Sequence, residues 1–432
     1  MAMTNTHSLT MAMDKKGDLE WMPPRPEPVY WRNRQRSLAY SVTLTLVALF
    51  FTFALRPEAF PSFLVRKDLH KSPLEQVLTR VPLTDGHNDF AIWTRAFYQN
   101  HIYQANFTDH DELYGQVDFP RLRKGRLGAQ FWSVYVECAR NPNEPGAQYE
   151  IVRDTFQQID LVHRMIDHFP DFLVPASSVA DVHHNFYYSP RHISSLLGIE
   201  GLHQLGGSAS VLRMYHELGV RYASLTHTCH NEYADSEAPA EPRHRGLSAA
   251  GEKIIAEMNR VGMMVDLSHT SLETQRAVFN VSRAPVMYSH SSAYALCPHS
   301  RNVPDDLLQM LKDNDGIIMV SLYPEYTNCQ DAEAASLADV ADHIQYVGNL
   351  IGYRHVGLGS DFDGMSHGPK GLEDVSKYPD LIQELLDRGV SVDDLVGVTG
   401  GNVLRVLGVV EHVARSLVGM LPLEDDVKPF FE

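Results

Sequence analysis

Basic residues are in short supply. Lys and Arg number 37 against 54 Asp and Glu, a formal charge of −17. A polyanion is repelled on average by such a chain, which argues against nucleic acid as a partner. Cysteine is scarce as well. The four residues Cys138, Cys229, Cys297 and Cys329 contain no CxxC pair, so a structural zinc site of the cysteine type is not expected. No block of like charges marks an interaction tail, and no sequence-level repeat is visible. No Gly-rich phosphate loop follows the first strand-like run, which ends Asp85-Gly86-His87-Asn88-Asp89. A dinucleotide-binding fold therefore gains no support. The C-terminus, DDVKPFFE, carries no hydrophobic tail of the GPI-signal kind.

Long hydrophobic runs are nearly absent too, with one exception. Ser37 to Leu55 is nineteen residues without a charge. As a helix it would span roughly 28 Å, enough for a bilayer core. Arg32, Arg34 and Arg36 precede it and Arg56 follows, a modest charge bias that puts the N-terminus on the cytosolic side. The expected organisation is a disordered cytosolic tail (1–36), a transmembrane signal anchor (37–55) and a stalk (56–73). The main domain (74–420) and a C-terminal tail (421–432) follow. The protein is then a single-pass membrane protein with its main domain extracellular or luminal. A cleavable signal peptide is the alternative, disfavoured because such peptides run to about 15–30 residues in all. The sequons at Asn106 and Asn280 and the even cysteine count fit a secretory route. Spacing alone permits three disulfide pairings.

From about residue 74 short apolar runs alternate with amphipathic stretches. Eight strand candidates are Val81–Gly86, Ala129–Val136, Ser195–Gly201, Arg221–Thr226, Gly262–Leu267, Pro285–Ser289, Gly316–Leu322 and His355–Gly359. Helical periodicity falls at 151–166, 207–217, 247–260, 271–280, 304–312, 335–351 and 375–388. Length alone, at about 150 residues per domain, would allow three domains. Strand followed by helix, eight times, reads instead as one α/β unit, a (β/α)8 TIM-type barrel. An open doubly wound sheet is the runner-up.

The chain is rich in one thing, its 22 histidines. In a barrel, reactive groups gather at the C-terminal ends of strands. Six of the eight runs end in His, Asp or Glu: His87 and Asp89, Glu200, His227, His269, His290 and Asp361. Taken singly, a strand-end histidine is more often structural than functional. Six together point to one site. Neutral imidazole with carboxylate suits zinc and similar ions. His87 and Asp89, two apart on an extended strand, point the same way. Carboxylates converging without a cation would repel one another.

These segments carry a resemblance. Asp85-Gly86-His87-Asn88-Asp89, Gly198-Ile199-Glu200-Gly201, Ser224-Leu225-Thr226-His227 and Val265-Asp266-Leu267-Ser268-His269 form its first part. Tyr288-Ser289-His290-Ser291-Ser292-Ala293-Tyr294, Ser300-Arg301-Asn302-Val303-Pro304-Asp305-Asp306 and Gly359-Ser360-Asp361-Phe362-Asp363-Gly364 complete it. In this order, over about residues 74–412, they resemble the membrane (renal) dipeptidase family. The resemblance implies a zinc-dependent dipeptidase with two Zn2+ per chain. His87 and Asp89 would bind the first ion, Glu200 would bridge, and His269 and His290 would bind the second. Asp361 would transfer protons, His227 would polarise the substrate and Arg301 would clamp its free carboxylate. A hydroxide shared by the ions would attack the scissile carbonyl. Disulfides Cys138–Cys229 and Cys297–Cys329 are implied, as is a homodimer. Dipeptide substrates are implied too, among them the cysteinylglycine part of glutathione-derived conjugates.

Three positions depart from the family pattern: Leu202 and Ser360 stand where glycine is expected, and Tyr233 where tryptophan is. Leu202 and Tyr233 are expected to reshape the pocket. His203, His230, His299 and His367 lie near the motifs, with an exposed or structural state expected for each. The acidic run Glu424-Asp425-Asp426 reads as a solvated tail. Two rival readings stay open. One is another binuclear metal amidohydrolase, such as a lactonase or deaminase. The other is a catalytically silent ectodomain on the same barrel.

Overall fold

The computed structural model describes residues 10–13, 19–22, 71–109, 113–141 and 146–427. Contacts divide the chain into two units, residues 1–70 and 71–432. In the first, Thr10–Met13 and Leu19–Met22 pair antiparallel, Thr10 opposite Met22, within the stretch expected to be a disordered tail.

The second unit is a closed parallel barrel. Its strands are β1 (Leu83–Asn88), β2 (Leu127–Val134), β3 (Ile193–Glu200) and β4 (Val220–Ser224). They continue with β5 (Met264–Asp266), β6 (Met287–Ser291), β7 (Ile317–Val320) and β8 (Val356–Leu358). Each pairs in parallel with its successor, and β8 closes on β1 through Leu358 opposite Asp85. All eight expected strands are present. Both faces of such strands are covered, by the barrel interior and by helices, which is why they read as near-continuous apolar runs rather than alternating ones. A ninth, short strand, Leu173–Pro175, lies against the start of β3.

The helices α1 (Phe90–Tyr98), α2 (Ala147–His168), α3 (Ala209–Glu217), α4 (Ala249–Val261) and α5 (Leu272–Val281) follow the first five strands. Then come α6 (Asp305–Asp313), α7 (Leu337–Ile351), α8 (Tyr378–Asp387) and α9 (Asn402–Ser416). Serine starts several of them. Ser208, Ser248 and Ser271 accept from the backbone N–H three residues on, satisfying donors that a helix leaves unpaired at its N-terminus. Inside the barrel, space is allotted by one close approach. The ring of Tyr222 lies where a Cβ on Gly198 would stand, so glycine in β3 is what admits a tyrosine from β4.

The membrane anchor needs correction. Its expected span, 37–55, lies outside the described residues, and among the described residues no helix is long and apolar enough to cross a membrane. The 22-residue α2 carries charge along its length and buries one face only, whereas a spanning helix needs about 20 predominantly apolar residues. The expected single-pass localisation is overturned on that finding, and membrane contact through such an anchor is not shown. Both implied disulfides are formed, Cys138–Cys229 with Cα atoms 6.2 Å apart and Cys297–Cys329 at 5.4 Å. Asn106 and Asn280 are exposed.

The C-terminal acidic run is also not simply solvated. Asp425 accepts from Ala209 N–H at 2.7 Å and Ser210 N–H at 3.1 Å, and from the hydroxyls of Ser208 (2.8 Å) and Ser210 (2.5 Å). A carboxylate there meets the positive end of the α3 dipole. Leu423 ties in beside it, its carbonyl accepting from Arg213 and its N–H donating to Glu257. Asp425→Ala is expected to lower unfolding free energy by about 1 kcal/mol, measured by denaturant titration. An unchanged midpoint would show that the strap adds nothing.

Candidate active site

The polar ends of the strands meet at one mouth of the barrel. Glu200, the last residue of β3, is the common neighbour. Its Oε1 lies 3.2 Å from His269 Nε2, 3.4 Å from His290 Nε2, 3.5 Å from His87 Nε2 and 3.8 Å from His227 Nε2. Asp89 Oδ2 lies 3.4 Å from His87 Nε2. Asp361 joins His87 and His290 in one tight group. All of these residues except His227 are buried. The sequence-expected site residues thus come together, from β1, β3, β4, β5, β6 and β8.

Backbone strain accompanies the convergence. His269 (φ 65°) and Asp361 (φ 66°) both adopt left-handed conformation just past β5 and β8. Such residues cost of order 1–3 kcal/mol and persist where surrounding structure enforces them. Gly364 is required close by, since a Cβ there would strike Asp361 and Asp89 side-chain oxygens. Ser360, one of the departures, earns its place. Its N–H donates to Asp85 Oδ1 at 2.8 Å, and its hydroxyl donates to Asp85 Oδ2 at 2.7 Å. That joins the end of β8 to β1, where the barrel closes.

The electrostatics are those of a crowded acid cluster. Burial, with Asp89 and Asp361 adding to it, pushes the Glu200 carboxyl up to about 8. Burial likewise raises Asp361 to about 7, against the charge of His87. Burial alone would depress His87, but Glu200, Asp89 and Asp361 outweigh it and hold the imidazole at about 10. Burial lowers His227 to about 3 and takes His269 and His290 well below the usual imidazole range. The imidazoles of His269 and His290 face each other Nε2 to Nε2 at 3.0 Å. His87 Nε2 and Asp89 Oδ1 are buried without a hydrogen-bond partner. Orphaned polar atoms, opposed imidazole nitrogens and mutually destabilised carboxylates share one remedy, divalent cations between them. The donor set, imidazole nitrogen and carboxylate oxygen, suits zinc.

Arg301 lies beside this cluster, 4% exposed. Its Nη2 donates to the His290 carbonyl at 3.2 Å, and its Nε has no partner. Its guanidinium carbon lies 5.3 Å from the Tyr326 ring centroid. Among the described residues no carboxylate lies within 4.0 Å of it, so a buried cation faces the site without a counter-ion.

Some neighbours were not singled out from sequence. The Tyr135 ring packs 4.5 Å from that of His227, and the Ser133 hydroxyl lies 3.5 Å from Glu200 Oε2. Both sit at the end of β2. Buried Asp363 locks its loop to the segment before β2. It accepts from Gln116 N–H at 2.6 Å while its own N–H donates to Gln116 Oε1 at 2.7 Å. Leu202 and Tyr233 do not act as expected. Both are core residues, and the charges felt by the Tyr233 hydroxyl are those of Glu232 and Asp425, not of the cluster. His203 bonds the Val136 carbonyl at 2.8 Å, His230 that of Glu241 at 2.8 Å, and His367 is exposed.

Comparison with known proteins agrees with this arrangement. The family model described as membrane dipeptidase (peptidase family M19) matches residues 72–419. The dipeptidase aclJ of Aspergillus oryzae is 94% identical over 422 residues, 98% of this chain and 100% of its own. The dipeptidase tcpJ of Claviceps purpurea is 48% identical over 84% of this chain and 85% of its own. Among solved structures, the probable dipeptidase PvdM of Pseudomonas aeruginosa superposes with a TM-score of 0.71 at 23% identity, covering 79% of this chain and 98% of that one. A Rhodobacter sphaeroides metallopeptidase, solved with a phosphinate mimic of L-Ala-D-Ala, gives 0.66 at 22% identity, covering 76% and 99%. The last two speak for the fold. With a family model spanning nearly the whole barrel and relatives this close, the chain belongs to the membrane dipeptidase family, peptidase family M19, and is a metal-dependent dipeptidase.

Proposed function

We propose that the site holds two zinc ions, with Glu200 between them, and hydrolyses the peptide bond of dipeptides bearing a free carboxylate. His87, Asp89 and Glu200 would hold one ion, and Glu200, His269 and His290 the other. The observation that carries this reading is Glu200 Oε1 lying 3.2–3.5 Å from His269, His290 and His87 nitrogens at once. When bound, such a pair supplies Lewis-acid polarisation and a nucleophile at neutral pH.

The chain's own groups supply the rest. Arg301, buried and without a counter-ion, receives the substrate's terminal carboxylate, a charge-assisted bond of the stronger kind. His227, neutral because burial depresses it, is placed to hydrogen-bond the scissile carbonyl oxygen as negative charge develops there. Asp361, grouped with His87 and His290 in the cluster, takes the proton of the attacking water and returns it to the leaving amine. A lactonase or deaminase would not need the Arg301 clamp, and a silent scaffold would not need the strained, ion-ready cluster.

A panel of dipeptides, including cysteinylglycine conjugates, tests the reading. Chelation is expected to abolish hydrolysis and zinc to restore it, with two ions bound per chain by metal analysis. Glu200→Ala should remove turnover. Turnover surviving that substitution would sink the proposal. Arg301→Ala should lower kcat/KM by about 10–150-fold for free dipeptides, the value of a hydrogen bond to a charged group, and leave C-terminally amidated analogues nearly unchanged. Equal losses on both would remove the clamp. Because His87 sits at about 10 and Glu200 at about 8 without metal, the empty cluster holds protons at neutral pH. Ion binding must expel them. Apparent zinc affinity is therefore expected to rise with pH between about 6 and 8, with net proton release in calorimetry across buffers of different ionisation enthalpy. Uptake independent of pH would contradict the assignment of these groups.

A further inference from the structure

We propose that one buried carboxylate beneath the site, Asp266, fixes the tautomer of His290, acting through Ser289 so that the imidazole presents a bare Nε2 to the cluster. The inference deepens the two-ion reading and rests on it for its consequence, not for its geometry. Asp266 is fully buried at the end of β5. It accepts four hydrogen bonds: Oδ1 from Ser268 N–H (3.1 Å) and Ser289 N–H (2.7 Å), and Oδ2 from the hydroxyls of Ser289 (2.6 Å) and Ser224. An ionised carboxylate can only accept. The hydroxyl of Ser289 has a single proton, and its shortest side-chain contact commits that proton to Asp266. Its other side-chain neighbour of the same kind, the Ser268 hydroxyl, is farther away at 3.3 Å.

The direction of the chain then follows. His290 Nδ1 lies 2.9 Å from the Ser289 oxygen. That oxygen has no proton left to give, so Nδ1 must carry the hydrogen. A neutral imidazole has only one N–H, which leaves Nε2 bare. Nε2 is the atom 3.4 Å from Glu200 and 3.0 Å from His269. Asp266 and Ser289 are positioning residues, since neither lies among the residues that meet at the mouth.

Two measurements test this. In metal-free protein labelled with 15N-histidine, His290 should carry its proton on Nδ1. In Asp266→Asn the amide can donate to Ser289, the chain reverses, and the proton should move in whole or part to Nε2. With zinc, Asp266→Asn and Ser289→Ala should each weaken one ion by about 10–100-fold and leave the other unchanged, the usual effect of removing a partner that orients a metal-bound histidine. Circular dichroism should be unchanged. A wild-type His290 protonated on Nε2, or zinc affinity in Ser289→Ala equal to wild type at both sites, would overturn the inference. Should Asp266→Asn fail to fold, the wild-type tautomer and the Ser289→Ala titration still decide it. A wild-type protein that bound no zinc would defeat the two-ion reading instead, while the tautomer result would stand on its own.

Discussion

The structure turns on one electrostatic problem, three carboxylates and four imidazoles gathered where almost no water reaches. Glu200, Asp89 and Asp361 cannot all be charged there without compensation. Burial already raises Glu200 to about 8 and Asp361 to about 7. A chain gains nothing in stability from such an arrangement, because desolvated like charges are costly. Its persistence, with two non-glycine residues held at positive φ beside it, marks a site whose stability has been given up for cation binding and chemistry.

The barrel is what makes that concession tolerable. Closure of β8 on β1 brings Asp361 beside His87 although 273 residues separate the corresponding Ser360–His87 contact in sequence. The joint is made by Ser360 and Asp85, a hydroxyl and a backbone N–H clamped on one buried carboxylate. Around the remaining strands the interior is filled by large side chains set against small ones, as Tyr222 is against Gly198. Residues at the strand ends are therefore supported from below by a rigid packed layer.

Much of this was legible in the sequence. The eight strands were found because buried parallel strands leave unbroken apolar runs, and the polar residue ending each run lies at the barrel mouth. Six strand ends carry His, Asp or Glu, and those six meet. Other features left no local signature. Ser133 and Tyr135 look like ordinary strand residues, and only three-dimensional closure sets them beside Glu200 and His227. Asp266 reads as a turn or cap residue, and its Ser268 bond is of that kind, but the bonds from Ser224 and Ser289 come from other strands. Asp425 lies in an acidic run that resembles any solvated tail. Its partners are the first residues of α3, more than 200 positions earlier. Tyr233 and Leu202 misled for the converse reason. Their neighbours in sequence are site residues, but their side chains turn into the apolar core.

The polar layer under the site carries the argument one step further. A metal-binding histidine has to offer a lone pair, and a free imidazole is indifferent about which nitrogen does so. A hydrogen bond to the far nitrogen holds the ring in place and, where the imidazole is neutral, removes that indifference. Here His87 and His290 have such partners, Tyr222 and Ser289. His269 and His227 do not, because their Nδ1 atoms are buried without any. The histidines therefore fall into two kinds. The first is held from beneath and orientationally fixed. The second has no partner on that nitrogen: His269 is placed by its left-handed turn, and His227 lies against the Tyr135 ring.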